Sequence, residues 1–203
     1  MATVNRPPTR TLYRTITPLI FPESSDNALV THFPLNNCAE EGIKNARPHA
    51  DAMSERPDND TYFMRMAVLV ATRSTCLRRQ VGAVIVKEKR VLTTGYNGAP
   101  RGLRHCEEVG CVRKENNIES GTRHELCRGV HAEQNAVIQG AYFGVSIKEG
   151  TVYTTNFPCV LCAKILLNAG IKEIVYLNAY VDELSKQILD EAGIKVRRYD
   201  RPL

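Results

Sequence analysis

Three residues of this chain combine the side-chain types that hold a transition metal in proteins. His131 stands in the segment HAE, and Cys159 and Cys162 form a CxxC pair inside PCVLC. One imidazole and two thiolates suit a tetrahedral Zn²⁺ ion with one coordination position left open, as in catalytic zinc sites. Neither half is specific alone, because a histidine can start a helix and a CxxC pair can be a redox dithiol. Together they predict a zinc site.

A carboxylate lies two residues beyond the predicted histidine ligand. Glu133 is close enough in sequence to reach a water molecule at the metal without coordinating the ion itself. Zinc lowers the pKa of such a water toward neutrality, so that a neighbouring carboxylate can take its proton. We therefore predict that Glu133 carries protons in a zinc-dependent reaction.

The predicted metal ligands stand at the beginnings of two helices. GVHAEQNAVIQGA has apolar residues at helical spacing from Ala132 onward, and CVLCAKILLNAG does so up to a stop at Gly170. Cysteines at positions i and i+3 of a first turn present both sulfurs on one side. A helix N-terminus also stabilises thiolates. We interpret His131 as a metal ligand and not as a helix cap.

Helical and extended segments alternate along the rest of the chain. A helix is expected to begin at a capping Asp60 and to run to about Arg73. The later segments are, in order, the hairpin QVGAVIVK and RVLTTGYNG, a long loop over 98–128, the helix after His131, the strand GTVYTTN, the CxxC helix, the strand KEIVYL, the helix DELSKQILDEAG and the strand IKVRRY. This order predicts an α/β fold whose five-stranded, mostly parallel mixed sheet opens with an antiparallel hairpin and has helices on both faces.

The first 58 residues differ from the remainder in composition and in hydrophobic periodicity. They hold seven of the ten prolines and show no sustained helical or strand period. We predict an irregular extension over 1–58 and a folded domain over 59–203. Arg6, Arg10 and Arg14 without any acid among the first 22 residues would suit an organellar transit peptide or a non-native upstream start, and the sequence leaves both open.

Hydrophobic content, cysteine number and net charge limit the kind of protein and its compartment. The 203 residues are 43% hydrophobic, and no apolar run approaches the roughly 20 residues of a membrane span, which predicts a soluble protein. Seven cysteines are an odd number, which favours metal binding or free thiols in a reducing compartment, and hence the cytoplasm. A net charge of +5 suits a phosphorylated small molecule or a nucleic acid equally well.

The pattern VGAVIV, GYNGAPRG, HAEQNA, FPCVLCAK and NAGIKEIVY, over about residues 60–200, resembles the deoxycytidylate (dCMP) deaminase family in its bacterial and phage-like branch. HAE and PCVLC fit the H-x-E and P-C-x-x-C signature of zinc nucleobase deaminases. The resemblance implies a three-layer cytidine-deaminase-like α/β/α fold and hydrolysis of dCMP to dUMP and ammonia. It implies that His131, Cys159 and Cys162 are the zinc ligands and that Glu133 is the general acid/base.

Residues outside this quartet must select the substrate. Asn97 in GYNG has an amide that can donate and accept toward a sugar hydroxyl or a base edge. The resemblance favours this role over an ordinary turn. Tyr180, just beyond the IVYLNA strand, and Arg78 or Arg79, just before VGAVIV, are weaker candidates for contacts with a phosphate.

Cysteines beyond the CxxC pair suggest a second metal. Some phage-type relatives carry a structural zinc with cysteines at the positions of Cys76 and Cys106, and the resemblance implies the same here. A metal would also order the long loop. For the remaining ligands we choose His124 and Cys127 in HELC, with Cys111 as the substitute.

Two other functions share parts of the pattern. A tRNA adenosine deaminase has HAE and PCxxC but is not expected to carry GYNGAPRG with a cysteine-rich loop. A non-catalytic, zinc-stabilised nucleic-acid-binding protein would have no use for Glu133. The resemblance also implies a homo-oligomer, commonly a hexamer, and the effectors dCTP and dTTP. Tyr142 stands where some relatives have a basic residue, which argues against assuming effector control.

Overall fold

The structure, a computed structural model, describes residues 56–179 and 182–203, so the predicted extension over 1–58 lies almost wholly outside it. Within these ranges no helix is both long and apolar enough to cross a membrane. The elements are α1 (Asn59–Ala71), β1 (Gly82–Lys87), β2 (Arg90–Tyr96), α2 (Cys106–Val109), α3 (Val112–Glu115), α4 (Ala132–Phe143), β3 (Thr151–Asn156), α5 (Val160–Asn168), β4 (Glu173–Asn178), α6 (Glu183–Glu191) and β5 (Lys195–Arg198).

Five strands form one mixed sheet in the order β2-β1-β3-β4-β5. Strand β1 is antiparallel to both of its neighbours, whereas β3, β4 and β5 are parallel to one another. Strand β1 therefore runs against the other four. The predicted α/β class, with an antiparallel opening hairpin followed by parallel strands, is confirmed.

Helices cover both faces of this sheet because the strands are apolar on both sides. Ala83 and Ile85 of β1 pack in one cluster with Ala132 of α4, Leu166 of α5 and Leu189 of α6. The alternate β1 residues, Val84 and Val86, pack in a second cluster with the α1 residues Phe63, Met64 and Ala67. Successive side chains of a strand point to opposite faces. Thus α4, α5 and α6 form one layer and α1 the other.

Helix α1 begins two residues earlier than the sequence suggested. The cap is Asp58, whose Oδ1 accepts hydrogen bonds from the backbone N–H groups of Asp60 and Thr61. Asp60, the expected cap, lies in the first turn and binds Arg197 of β5 and the hydroxyl of Tyr153 on β3. A long-range ion pair therefore uses the carboxylate that local sequence assigned to capping.

Two glycines allow helices to lie unusually close to the sheet. A Cβ atom at Gly95 of β2 would stand 2.2 Å from the carbonyl oxygen of Ala132 and 2.4 Å from the nitrogen of Ala136, both in α4. A Cβ atom at Gly82 of β1 would stand 2.1 Å from the carbonyl oxygen of Ala67 in α1. Gly95 therefore helps to set the position of the first turn of α4, the turn that carries His131 and Glu133.

The long segment between β2 and α4 is folded back at its ends. Gly98 and Val130 form an antiparallel bridge, with N–O distances of 3.1 and 2.8 Å between their backbones. Between them lie α2, α3 and a single 3₁₀ turn at His124–Leu126. The predicted irregular loop thus holds three short helical turns, and the bridge keeps it next to the start of α4.

Candidate active site

Helices α4 and α5 present their N-termini to each other at the same edge of the sheet. His131 occupies the N-cap position of α4, and Cys159 occupies the N-cap position of α5, just after the carboxyl end of β3. The backbone N–H of His131 donates to Oε1 of Gln134, as a capping residue would. The prediction that His131 is a metal ligand and not a helix cap was therefore wrong in its second part. The backbone of His131 caps the helix, while its ring lies against the two cysteines.

The three predicted zinc ligands converge. Nδ1 of His131 lies 3.3 Å from Sγ of Cys159 and 3.4 Å from Sγ of Cys162. Their donor atoms all lie within 4.8 Å of one another. One imidazole nitrogen and two sulfurs at this spacing fit a tetrahedral Zn²⁺ with one position open to a non-protein ligand.

The electrostatics of the cysteine pair favour one thiolate even before a metal binds. Hydrogen bonds from Cys162 and His131 lower the pKa of Cys159 to about 4. The interaction with Cys159, together with burial, raises the pKa of Cys162. A cation at the three donor atoms would offset the repulsion between two thiolates and so bring Cys162 into its ligand form.

Glu133 lies beside the three donors on the first turn of α4. Its side chain is 4% exposed, and Oε1 accepts a hydrogen bond of 3.1 Å from the hydroxyl of Thr154 on β3. The other oxygen, Oε2, lies 3.3 Å from Sγ of Cys162. Burial raises the pKa of Glu133, which helps the carboxyl group to hold a proton. This is the environment of a general acid/base next to a metal.

A cavity opens above these residues, and we call it the central cavity. His131, Glu133 and Cys159 form part of its wall, and the segment between β2 and α4 supplies much of the rest. The wall includes four arginines, while Glu133 is the one acidic residue in it; the arginines are Arg78, Arg79, Arg113 and Arg128. The cavity is therefore suited to an anionic molecule whose reacting end reaches Glu133.

Several nitrogens in the cavity wall are buried without a hydrogen-bond partner. They are Nη1 of Arg78, Nε of Arg113 and both ring nitrogens of His124. Within the described part of the chain, only Oγ1 of Thr93 shares this condition. Buried polar groups are normally satisfied, so these nitrogens are available to a polar molecule that enters the cavity.

The structure describes only one of the two predicted substrate-binding residues, Asn97 and Tyr180. Asn97 lines the central cavity, but its amide already accepts from the backbone N–H of Val81 and donates to the carbonyl of Arg79, each at 2.8 Å. The amide thus fixes the segment that leads into β1, and its contact with a substrate stays a prediction. Tyr180 lies outside the described residues.

The second predicted metal set is only partly assembled. Within the described ranges, the His131, Cys159 and Cys162 group alone has all its donor atoms within 4.8 Å of one another. Burial raises the pKa of Cys106, and so do the nearby thiols of Cys76, Cys127 and Cys111. A second metal ion at these residues stays a prediction.

His124 was predicted to be a ligand of the second metal. The structure places its side chain beside His131, a predicted ligand of the first metal. Its ring centroid lies 5.0 Å from that of His131, with an edge-to-face angle of 76°. Burial lowers the pKa of His124, which favours the neutral imidazole. The sequence spacing of HELC suggested a ligand pair with Cys127, and nothing local revealed the contact with His131.

Two residues of the site escaped sequence reasoning. Thr154 stands in the middle of a β-branched strand, where a threonine is unremarkable. Arg113 is 8% exposed, and its Nη2 donates to the backbone carbonyls of Glu119 and Thr122. It therefore ties down the chain directly before His124. An arginine in a charged loop carries no sequence signal of such burial.

Comparison with known proteins gives a consistent family. The chain is 37% identical over 189 residues to a deoxycytidylate deaminase of Schizosaccharomyces pombe, covering 88% of this chain and 58% of that protein. It is 43% identical over 145 residues to a deoxycytidylate deaminase of Saccharomyces cerevisiae, covering 71% of this chain and 46% of that protein. The chain thus spans about half the length of these curated relatives.

A solved structure shares the fold. The dCMP deaminase of cyanophage S-TIM5, crystallised with dCMP and dUMP, superimposes with a TM-score of 0.60 at 29% identity, over 71% of this chain and 99% of that chain. The model of the cytidine and deoxycytidylate deaminase zinc-binding region matches residues 57–178. This match spans more than half of the chain and includes His131, Glu133, Cys159 and Cys162. The chain belongs to the cytidine and deoxycytidylate deaminase zinc-binding family.

Proposed function

We propose that this protein catalyses the hydrolytic deamination of dCMP to dUMP and ammonia. The observation that carries the proposal is the position of Glu133, buried and hydrogen-bonded to Thr154, with its second oxygen beside Cys162 of the metal-ligand group. A site that only held a structural metal would not need this carboxyl group or an open coordination position. The membership in the deaminase family and the named relatives support the reaction.

In this proposal His131, Cys159 and Cys162 hold one Zn²⁺. When bound, zinc would supply Lewis acidity that lowers the pKa of a water molecule toward neutrality. Glu133 takes one proton of that water and delivers it to N3 of the base, while the water oxygen forms a bond with C4 of cytosine. The same carboxyl group then takes the proton of the new hydroxyl on C4 and passes it to the 4-amino group. The C4–N bond breaks, ammonia leaves and the C4 carbonyl of dUMP forms. Thr154 holds Oε1, so that Oε2 carries the proton on each transfer.

A nucleotide fits the central cavity better than a nucleoside. Arg78 is partly buried and lines the cavity, and its Nη1 has no hydrogen-bond partner in the described protein, which suits a phosphate oxygen. Arg113 and Arg128 add positive charge to the same wall. We therefore propose Arg78 as the principal phosphate contact and retain Asn97 as a contact with the sugar or base. The relative crystallised with dCMP and dUMP supports a monophosphate.

We propose a second zinc held by Cys76, Cys106, Cys111 and Cys127. The nearby thiols that raise the pKa of Cys106 support this set. The position of His124 against His131 supports Cys111 as the fourth ligand in its place. Such an ion would join the segment before β1 to the long loop. Four thiolates form a closed coordination shell, which is typical of structural zinc.

The remaining features of the proposal concern the whole protein. We propose that residues 59–203 form the catalytic domain and that the protein acts as a homo-oligomer, with a hexamer as the specific expectation. A cytoplasmic location is supported by the six described cysteines, all of which are free thiols. Control by dCTP and dTTP is an additional proposal, to be measured as a change in the dCMP saturation curve.

Substrate comparison tests the proposed reaction. Purified protein is incubated with dCMP, deoxycytidine or a tRNA anticodon stem-loop, and the release of ammonia is measured. We expect turnover of dCMP, much weaker turnover of deoxycytidine, and none of the RNA. Deamination of the RNA alone would identify an adenosine deaminase. Salt-dependent nucleic-acid binding without any deamination would identify a binding protein.

A further inference from the structure

His124 lines the central cavity, and neither the metal sites nor the proposed proton transfers explain its side chain. Both of its ring nitrogens are buried, and neither makes a hydrogen bond of normal geometry. The backbone carbonyl of Gly121 lies near the ring and satisfies at most one of the two nitrogens. A neutral imidazole has one donor and one acceptor, and a carbonyl oxygen can pair only with the donor, so the acceptor nitrogen of His124 is left without a protein partner. The ring therefore needs a partner that is not part of the described protein.

The location of His124 limits what that partner is. Its ring stands 5.0 Å from the ring of His131, the predicted metal ligand, and so lies close to the reacting end of the cavity. In a nucleotide whose C4 atom is next to the metal and Glu133, the nearest polar atoms belong to the pyrimidine base. The phosphate is at the opposite end of the molecule.

The backbone around His124 is held in place for such a contact. Arg113 is buried and donates to the carbonyls of Glu119 and Thr122, directly before the 3₁₀ turn that begins at His124. Arg123, which stands between Thr122 and His124, has a left-handed backbone with φ of 50°. A non-glycine residue adopts that conformation at some cost. These contacts hold the backbone that carries His124.

We propose that His124 binds the pyrimidine base of the substrate by hydrogen bonds and thereby selects and orients the base over Glu133. This inference rests on the proposed function and deepens it, because it assigns a base-reading residue to the same site. Arg113 is a positioning residue in this scheme, since it acts through His124. His124 is then not a ligand of either metal.

Binding of the proposed product tests this assignment without requiring turnover. The affinity for dUMP and for deoxyribose 5-phosphate is measured by calorimetry in the parent protein and in His124→Leu, with zinc counted in each. We expect His124→Leu to weaken dUMP about tenfold or more, to leave deoxyribose 5-phosphate within twofold, and to keep the zinc content of the parent. His105→Leu is the control, because His105 is an exposed histidine of the same loop that bonds Thr75 outside the cavity; it should change neither affinity.

Two amide variants keep the test usable if His124→Leu does not fold. His124→Asn and His124→Gln place an amide near the positions of Nδ1 and Nε2, and we expect one of them to recover at least half of the lost dUMP affinity. The inference would be overturned if neither amide variant recovered dUMP affinity. It would also be overturned if His124→Leu left dUMP affinity unchanged, weakened dUMP and deoxyribose 5-phosphate equally, or lost one zinc ion per chain. A parent protein that neither turns over dCMP nor binds dUMP would instead refute the proposed function.

Discussion

The hydroxyl of Thr154 on β3 donates a hydrogen bond of 3.1 Å to Oε1 of Glu133 on α4. Both side chains are buried, at 0% and 4% exposure, so solvent does not compete for this bond. The bond links the sheet to the first turn of the helix and fixes one oxygen of the carboxyl group. The other oxygen is left facing the metal-ligand group.

Replacing Thr154 should therefore reduce the rate more than substrate binding. Thr154→Val removes the donor at nearly constant shape, and we expect kcat for dCMP to fall about tenfold while KM changes little. Thr154→Ser keeps a hydroxyl and should retain most of the activity. Steady-state kinetics with a zinc count in each variant check this. Equal activity of the valine and serine variants would show that the bond does not position Glu133.

Gly95 should be intolerant of a single methyl group. A Cβ atom there would overlap the backbone of Ala132 and Ala136, so Gly95→Ala must push α4 off the sheet. We expect a loss of about 3 kcal/mol in the free energy of unfolding, with weakened zinc binding because His131 moves. Gly98→Ala is the matched control, since its Cβ would meet atoms only at 3.7 Å or beyond. Urea unfolding compares them, and similar midpoints would contradict the steric argument.

Zinc content should separate the two proposed metal sites. Cys162→Ser should lose the ion held with His131 and Cys159 and should abolish turnover. Cys106→Ser should lose the other ion and lower the melting temperature. Elemental analysis of the parent is expected to give two zinc ions per chain and each variant one. One ion in the parent would remove the second site from the account.

The ion pair between α1 and β5 should make stability depend on pH. Hydrogen bonds from Arg197 lower the pKa of Asp60, although its partial burial opposes this. A lowered carboxyl pKa stabilises the fold above the unfolded value of about 4, and this stabilisation is lost as pH falls through the lower folded value. The melting temperature of Asp60→Asn should thus lie below that of the parent at pH 7, and the gap should shrink toward pH 3. Glu191→Gln, an exposed control on α6, should show no such trend.

Sequence patterns located the elements and the four residues of the predicted zinc and proton-transfer site, because each pattern is local. HAE and PCVLC each lie at a helix start, and the alternation of strands and helices brings such starts to one edge of the sheet. Contacts between distant segments were not predictable in this way. Asp58 and not Asp60 caps α1, while Asp60 binds Arg197, which is far along the chain. The ring of His124 contacts that of His131, and Arg113 holds the residues just before it; no sequence spacing encodes that arrangement.

The central claim is that Glu133 transfers protons in the deamination of dCMP. Glu133→Gln keeps the size of the side chain but cannot carry a proton. The most direct measurement is the rate of dUMP formation from dCMP by the parent and by this variant, each with its zinc counted. We predict equal zinc content and a fall in kcat of about 10²-fold to 10⁴-fold in the variant. A zinc-loaded Glu133→Gln protein with nearly the kcat of the parent would contradict the account.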